Sequence, residues 1–216
     1  MGGKRKILVA SRNAGKVREI AAVLGGQGVE LVALDEADPD RQIAEPPETG
    51  ETFAANSRAK AEYYARATGL WALADDSGLE VEALGGAPGV RSARYATDEC
   101  PPDAGRAEID LANNARLLRE LAEAPDGRRA ARFVCHLSLS DGRRILLEAG
   151  GVLEGVIARQ PSGSNGFGYD PIFFVPALGL TTAQLPAEGK NEISHRGLAS
   201  REFARRLGKM LQLRTE

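Results

Sequence analysis

The sequence predicts an α/β fold with a mixed sheet flanked by helices, and three features of the chain indicate it. Strand-like and helix-like segments alternate over residues 4–74, which is typical of parallel strands joined by helices. Asp141-Gly142 separates two further strand-like runs, and this dipeptide is a strong signal for an antiparallel hairpin. Amphipathic helical patterns occur in both halves of the chain. Parallel and hairpin connections in one chain favour a mixed sheet over a purely parallel one.

The first five elements follow from apolar spacing and from residues that start or stop helices. Gly25-Gly26 ends a helix whose apolar residues share one face, and Thr52 opens a long helix that ends before Gly69. Short aliphatic runs account for the strands. The expected elements are strands at 4–10, 29–34 and 71–74 and helices at 14–24 and 52–67.

The second half begins with an apolar run at 79–83, a glycine- and proline-rich turn at 85–89 and a polar loop to residue 102. Two amphipathic helices and several short strands follow. The expected elements are helices at 103–122 and 196–213 and strands at 129–140, 143–148, 152–157 and 172–175.

Composition limits the classes of partner. The formal charge is -2 over 216 residues, so the chain lacks the broad positive field of non-specific nucleic-acid binders, and no nucleic-acid partner is expected. No run approaches the ~20 apolar residues of a membrane span. Two cysteines and no apolar leader favour a reducing compartment, so we expect a cytoplasmic protein with no membrane partner.

The first candidate site is the polar turn Ser11-Arg12-Asn13-Ala14-Gly15-Lys16 between a strand and a helix. Free backbone N–H groups at a helix start bind anions, and Lys16 would hold a phosphate. The P-loop pattern is not met, because Val17 stands where that loop has Ser or Thr. The alternative is a helix cap by Ser11 or Asn13 with a solvated Lys16.

The second candidate is Asp75-Asp76, which directly follows the predicted strand at 71–74. Carboxylates at the carboxyl edge of a sheet often meet ligands, and Mg²⁺ takes one or two carboxylates with phosphate oxygens and waters. One of the two could also activate water. The alternative is that Asp75 caps a turn and Asp76 is solvated.

Two further candidates lie near the end of the chain. The glycine-rich loop at 163–170 carries two aromatic residues that could stack a purine, or that could instead fold back onto the core. Lys190, His195 and Arg196 gather cations before the last helix and could recognise phosphate or base, although His195 also suits a helix start.

Taken together, these motifs resemble the inosine/xanthosine triphosphate pyrophosphatase family, in order and in spacing, over nearly the whole chain. The segments that carry the resemblance are Ser11 to Lys16, Ala74-Asp75-Asp76-Ser77-Gly78-Leu79, Leu84-Gly85-Gly86-Ala87-Pro88-Gly89-Val90, Ser92-Ala93-Arg94-Tyr95, Phe167-Gly168-Tyr169-Asp170-Pro171 and Ser194-His195-Arg196-Gly197.

The resemblance implies one catalytic domain over residues 1–216, elongated and two-lobed around a central cleft, that acts as a homodimer. It implies Mg²⁺-dependent hydrolysis of the purine nucleoside triphosphates ITP, dITP and XTP to a monophosphate and pyrophosphate. Such an activity keeps deaminated purines out of DNA and RNA.

The resemblance also implies roles for individual residues. Asp76 would bind Mg²⁺ and accept the water proton, with Asp75 in support. The substrate contacts would be Ser11, Arg12, Asn13, Ala14, Gly15 and Lys16 for the triphosphate, Phe167, Gly168, Tyr169 and Asp170 for the base, and Lys60, Ser77, Lys190, His195 and Arg196 for the rest of the nucleotide.

One departure from the family affects the second metal carboxylate. Many relatives carry two adjacent glutamates before Thr-Gly, whereas this chain has Pro47-Glu48-Thr49-Gly50. A Glu-Asn-Ala triplet of the family is Ala55-Asn56-Ser57 here. The second metal ligand is therefore assigned to Glu48, with Glu45 as the alternative.

Two other functions stay open at the level of sequence. A pyrophosphatase of related fold could act on other modified nucleotides, such as modified pyrimidines. A nucleotide sensor could bind without cleaving, although the retention of both Asp75 and Asp76 argues against it.

Overall fold

The computed structural model describes residues 4–26 and 28–212, and within those residues it has six α-helices and seven strands. In the described part of the chain, no helix combines the length and the apolar character needed to cross a membrane. In chain order the elements are β1 (Arg5–Val9), α1 (Ala14–Leu24), β2 (Val29–Ala33), α2 (Leu34–Ala37), α3 (Phe53–Thr68), β3 (Trp71–Val81), α4 (Arg106–Glu120), β4 (Ala130–Ser140), β5 (Ile145–Ile157), β6 (Phe173–Val175), β7 (Leu180–Thr181), α5 (Ala187–Ile193) and α6 (His195–Gln212).

The strands form one sheet in the order β2-β1-β3-β4-β5-β6-β7. Strand β1 pairs in parallel with β2 and β3, whereas β6 pairs antiparallel with β5 and β7. Strands β4 and β5 are neighbours joined by residues 141–144, as the hairpin signal predicted. The predicted mixed α/β sheet is confirmed.

Two predicted strand boundaries were wrong. The strand expected at 71–74 continues through both aspartates to Val81, and the strands expected at 143–148 and 152–157 are one strand, β5. Two glycines inside β5 mark the close approach of other groups. A Cβ added to Gly151 would lie 2.1 Å from the carbonyl oxygen of His195, and one added to Gly155 would lie 2.6 Å from the ring of Phe173.

Three short elements were missed, namely α2, β7 and α5, because each is too short to show a repeating apolar pattern. The helix expected from residue 103 begins at Arg106. The last helix begins at His195 and is described to Gln212, so the predicted end at Leu213 lies outside the described residues.

The chain divides into two compact units, and each is described by itself. Unit 1 takes the described residues of 1–76, 135–151 and 195–216, and unit 2 takes 77–134 and 152–194. In unit 1, side chains alternate along β1, so Ile7 packs with buried residues of α1 and α6 while Leu8 packs with buried residues of α3. Unit 1 therefore has helices on both faces of its strands.

Unit 2 has a core of its own around the second half of β3. Leu79 and Leu117 of α4 are fully buried there. The rings of Phe133 and Phe173 are tilted at 31° with centroids 4.2 Å apart. This aromatic and aliphatic core anchors α4.

A buried arginine ties the end of α4 to β5 in unit 2. Arg129 is 3% exposed and donates hydrogen bonds to the carbonyl oxygens of Leu121 (2.6 Å), Ile157 (2.8 Å) and Ala158 (3.0 Å). These contacts satisfy carbonyls that would otherwise be buried without a donor.

Arg129→Met is expected to lower the free energy of unfolding by about 2–4 kcal/mol, because it leaves buried carbonyl groups without donors. Urea denaturation measures the change. Arg159→Met is the matched control, since Arg159 is half-exposed and its partner Asp126 is largely exposed. An equal loss in both variants would contradict this role for Arg129.

Glu148 in unit 1 joins α3 to the sheet. Its carboxylate accepts two hydrogen bonds from Arg58, at 2.7 and 3.0 Å, and lies 2.9 Å from Nε2 of His136. The hydrogen bonds from Arg58, with a smaller contribution from His136, lower the pKa of Glu148 to about 2. The folded protein therefore favours the ionised carboxylate.

Because the pKa of Glu148 is lower in the folded chain than its ordinary 4.5, its contribution to stability is present above pH 4.5 and is lost as the pH falls towards 2. Glu148→Gln is expected to be less stable than wild type by about 1–2 kcal/mol at pH 6, with a difference that shrinks towards pH 2. Denaturation curves at a series of pH values check this. A difference that is independent of pH would contradict it.

Candidate active site

Asp75 and Asp76 lie inside β3, so their side chains point to opposite faces of the strand. Asp75 meets groups from α1 and α6, and Asp76 meets a group from α3. The prediction that the pair follows the end of a strand is corrected. The two adjacent carboxylates thus have separate sets of partners.

Asp75 is buried among three polar partners. Its carboxylate forms an ion pair with Lys16 of α1 and accepts hydrogen bonds from Nε of Arg196 (3.0 Å) and from Sγ of Cys135 (3.1 Å). Burial alone would favour the neutral acid, but the charges of Arg196 and Lys16 hold the pKa of Asp75 well below its usual range. Asp75 is therefore a permanent anion at neutral pH.

Arg196 and Cys135 complete this cluster. Arg196 is 2% exposed and also forms an ion pair with Glu19, and these two carboxylates raise its pKa although burial opposes the charge. Burial, with the charge of Asp75, raises the pKa of the Cys135 thiol well above its usual range. Cys135 is a hydrogen-bond donor to Asp75, and its thiol is not activated for nucleophilic attack.

Asp76 has a different environment on the α3 side of the strand. Its Oδ1 lies 3.2 Å from Nζ of Lys60, and the same ammonium lies 2.8 Å from Oε1 of Glu48. The other oxygen, Oδ2, is buried and has no hydrogen-bond partner among the described residues. Burial raises the pKa of Asp76, and the positive charges of Lys60 and Lys16 offset this only in part.

The two neighbours in sequence are therefore tuned in opposite directions. The pKa of Asp75 is lowered by buried cations, and the pKa of Asp76 is raised by burial with an oxygen left unbonded. In many active sites, two carboxyl groups with different pKa values take different roles. One stabilises charge as an anion, and the other takes up or releases a proton.

The donor set around Asp76 fits Mg²⁺. Oε1 of Glu48 and Oδ1 of Asp76 converge on the single ammonium of Lys60, so the two carboxylates already share one cation. Among the described residues, no three His, Cys, Asp or Glu side chains are grouped to hold a metal. Mg²⁺ needs only one or two carboxylates when substrate phosphate and water complete its shell. Glu45, the alternative ligand, is exposed.

The segment at 11–16 is mainly a helix start. Oδ1 of Asn13 accepts hydrogen bonds from the backbone N–H groups of Gly15 (2.9 Å) and Lys16 (3.2 Å), and Oγ of Ser11 accepts one from the N–H of Asn13. The helix-cap alternative is therefore correct for Asn13. The solvated Lys16 of the same alternative is wrong, because Lys16 forms an ion pair with Asp75.

The other two residues of this segment are placed differently. Nη2 of Arg12 lies 2.6 Å from Oδ2 of Asp38, and a second nitrogen contacts Asp35. Ala14 is the exposed first residue of α1. Burial is the largest influence on Arg12 and opposes its charge, but the carboxylates of Asp38 and Asp35 raise its pKa.

In unit 2 the glycine-rich loop is held by Asp170, which is 2% exposed. Oδ2 of Asp170 accepts hydrogen bonds from Nζ of Lys190 (2.6 Å) and from the N–H of Phe167 (2.8 Å), and Oδ1 accepts one from Oγ1 of Thr182 (2.8 Å). The ammonium of Lys190 lies 4.9 Å from the centroid of the Phe167 ring. Asp170 thus fixes both a cation and an aromatic residue.

The remaining predicted residues are spread over both units. Tyr169 folds into the core of unit 2 and donates a hydrogen bond to the carbonyl of Ser92 (2.8 Å), so the alternative that this aromatic packs inward is correct for Tyr169. Ser77 is half-buried in β3 directly after Asp76. His195 is buried as the first residue of α6, as its helix-start interpretation predicted.

Sequence reasoning missed Asp110, Asn113 and Asn114 of α4. The two asparagines are buried in the helix face that also carries Leu117, and polar residues at such apolar positions are the signal that could have found them. Asn113 contacts the backbone of residues 92 and 96, and Asp110 and Asn114 contact the backbone of Gly168.

This chain is similar to known proteins over nearly its whole length. The Ham1 family matches residues 7–206. A protein of Nitratidesulfovibrio vulgaris named dITP/XTP pyrophosphatase is 50% identical over 202 residues, which are 93% of this chain and 94% of that protein. One of the same name from Exiguobacterium sibiricum is 47% identical, over 92% of this chain and 94% of its own length. The structure of a HAM1 protein from Coxiella burnetii aligns with a TM-score of 0.81 at 39% identity, over 95% of this chain and 99% of that one.

Proposed function

Because this chain belongs to the Ham1 family, we propose that it hydrolyses the non-standard purine nucleoside triphosphates dITP, XTP and ITP to the monophosphate and pyrophosphate. The single observation that carries the chemistry is the position of Asp76, which lies beside Lys60 and Glu48 with its Oδ2 lacking a hydrogen-bond partner among the described residues. Hydrolysis of a phosphoanhydride needs positioned water, a proton acceptor and positive charge around the phosphates. Asp76 would supply the proton acceptor, and the cations paired with the two aspartates would supply the positive charge.

Asp76 is the proposed proton acceptor. Its carboxylate lies beside Lys60, and Oδ2, which has no hydrogen-bond partner among the described residues, would accept a hydrogen bond from the attacking water. Water forms the new P–O bond as the bridging anhydride bond breaks, its proton passes to Asp76, and pyrophosphate leaves. No covalent nucleophile is required, which agrees with the inert Cys135 thiol.

Asp76 and Glu48 would hold Mg²⁺, because their oxygens converge on one point in unit 1. When bound, the ion would neutralise phosphate charge and acidify the attacking water. Lys60, which contacts both carboxylates, would supply further positive charge beside the phosphate chain. Its own charge persists, because Asp76 and Glu48 raise its pKa although burial opposes the charge.

The cations of unit 1 would bind the triphosphate. Lys16 stands at the start of α1, where the helix dipole also favours an anion. Asp75 holds the side chain of Lys16 in place. Arg196 would act through Asp75, because its guanidinium is buried against Asp75 and Glu19.

The glycine-rich loop of unit 2 would bind the base, with the Phe167 ring as a stacking surface beneath Lys190. Hypoxanthine and xanthine present an acceptor at position 6 and a donor at N1, the reverse of adenine. A pocket built for that pattern leaves buried groups unpaired with adenine, which can cost a factor of about 10⁴. We propose selectivity against adenine on this basis. Guanine shares this pattern and differs only at position 2, so selectivity against guanine is proposed from the substrates named for the relatives.

The proposal includes the cellular compartment and the oligomeric state of the enzyme. The enzyme would act in the cytoplasm as a homodimer and remove deaminated purines from the nucleotide pool before polymerases use them. Light scattering of the purified chain tests the dimer. A mass equal to one chain of 22.9 kDa would overturn that part.

The proposed substrate and metal are tested together by measuring pyrophosphate release from dITP, dATP and dGTP, each with Mg²⁺ and with EDTA. We expect fast release from dITP with Mg²⁺, little from dATP and dGTP, and loss of activity in EDTA. Preference for dATP, or for modified pyrimidine triphosphates, would refute the substrate assignment. Tight binding of dITP without release would indicate a nucleotide sensor.

A further inference from the structure

Two side chains of helix α4 form hydrogen bonds with the backbone N–H and carbonyl groups of Gly168 in the glycine-rich loop. Oδ2 of Asp110 accepts a hydrogen bond from the N–H of Gly168 (3.0 Å), and Nδ2 of Asn114 donates one to its carbonyl oxygen (3.0 Å). Asp110 and Asn114 are four residues apart, so they lie on the same face of α4. We call this pair of contacts the Gly168 clamp.

The clamp acts at a position of the loop whose backbone conformation favours glycine. Gly168 has φ of +62°, a conformation that favours glycine. The N–H of Phe167 is bound by Asp170, and Tyr169 is anchored in the core. The residues on either side of the clamp are thus held by other contacts, and the clamp fixes the peptide groups that join them.

The direction of the Phe167 ring depends on those peptide groups, because the clamp sets the backbone directly after Phe167. Lys190 lies over this ring and is itself held by Asp170. A loop fixed in this way loses little conformational entropy when a base stacks on it. Preorganisation of the loop would therefore increase the affinity for the base.

Asn114 has features that packing alone does not explain. It is 6% exposed, and its Oδ1 is buried with no hydrogen-bond partner among the described residues. An unpaired buried oxygen costs free energy that a leucine of similar size would avoid. The hydrogen bond that its Nδ2 donates to the carbonyl oxygen of Gly168 offsets this cost.

We propose that Asp110 and Asn114 are positioning residues that set the Phe167 platform for the purine base. This inference rests on the proposed function of the loop. The two residues do not touch the reacting phosphates, so they act on nucleotide affinity and leave the chemical step unchanged. Inorganic pyrophosphate carries no base, so its binding is independent of the clamp.

The test compares Asn114→Leu with wild type. We expect the KM for dITP to rise about 10-fold or more, because the carbonyl of Gly168 loses its donor. The kcat at saturating dITP stays within about threefold, and the inhibition constant of inorganic pyrophosphate is unchanged. Hydrogen exchange at the backbone of residues 167–169 becomes faster in the variant.

Two control variants separate positioning from general destabilisation. Asp110→Asn keeps an oxygen that accepts from the N–H of Gly168, so its KM for dITP stays near wild type, whereas Asp110→Leu raises it. Leu117→Ala removes a fully buried side chain of the same helix that belongs to the core of unit 2. It lowers the melting temperature with no change in KM.

The proposal is overturned if Asn114→Leu leaves both KM and hydrogen exchange at 167–169 unchanged, or if Leu117→Ala raises KM as much as Asn114→Leu does. It is also overturned if the inhibition constant of pyrophosphate rises in parallel with KM. Failure of the proposed function is a separate result, because wild type would then release no pyrophosphate from dITP while the exchange measurement still reports on the clamp.

Discussion

Asp76→Asn is expected to lower kcat for dITP by about 10³-fold at saturating Mg²⁺, because asparagine cannot accept the proton of the attacking water. The melting temperature is expected to stay the same or rise. Burial already disfavours the charged form of Asp76, so a neutral amide removes an unfavourable charge, and Lys60 keeps its contact with Glu48. Steady-state kinetics and calorimetry measure the two effects.

Asp75→Asn is the matched comparison, because it makes the same change at the neighbouring position. The pKa of Asp75 is held low by Arg196 and Lys16, so the folded chain favours its charge and loses stability when the charge is removed. A variant Asp76→Asn that keeps most of its turnover would show that Asp76 is not the proton acceptor. Equal losses of stability in both variants would contradict their opposite tuning.

Arg196→Met is expected to lower the free energy of unfolding by about 3–5 kcal/mol, since it removes the guanidinium that pairs with two carboxylates. Arg196 contacts both Asp75 and Glu19, and its side chain is 2% exposed. Lys16 remains beside Asp75 and compensates in part. Urea denaturation at neutral pH measures the loss.

Arg205→Met provides the control on the same helix. Arg205 is more than half exposed and pairs with Glu202 within α6, so its loss is expected to cost less than about 1 kcal/mol. If Arg196→Met instead kept its stability and raised only the KM for nucleotide, Arg196 would be a direct substrate contact. That outcome would reject the buried role assigned to it by its contacts.

The elements that sequence predicted well are those with a complete local pattern. Helix α1 was placed at its observed bounds because its apolar spacing and Gly25 define both ends. The extent of β3 was wrong because two aspartates read as the end of a strand. They are tolerated inside it only because Lys16, Lys60 and Arg196 supply opposite charges.

The residues of the candidate site were likewise predictable only where a local pattern marks them. Local motifs identified Asp75, Asp76 and the loop at 163–170. Two adjacent carboxylates directly after a predicted strand are unusual, and so are two aromatic residues in a glycine-rich loop. The partners of Asp75 lie 59 residues before it and 121 after it, so neither the ion pairs nor the direction of each pKa can be read from neighbouring positions. The clamp of α4 on Gly168 joins residues 54 and 58 positions apart for the same reason.

The most direct test of the central claim is the identity of the products that wild type forms from dITP and Mg²⁺, followed by ³¹P nuclear magnetic resonance. We expect deoxyinosine monophosphate and pyrophosphate in equal amounts, with no diphosphate intermediate. Release of orthophosphate with deoxyinosine diphosphate would contradict it, because cleavage would then occur at the terminal phosphate.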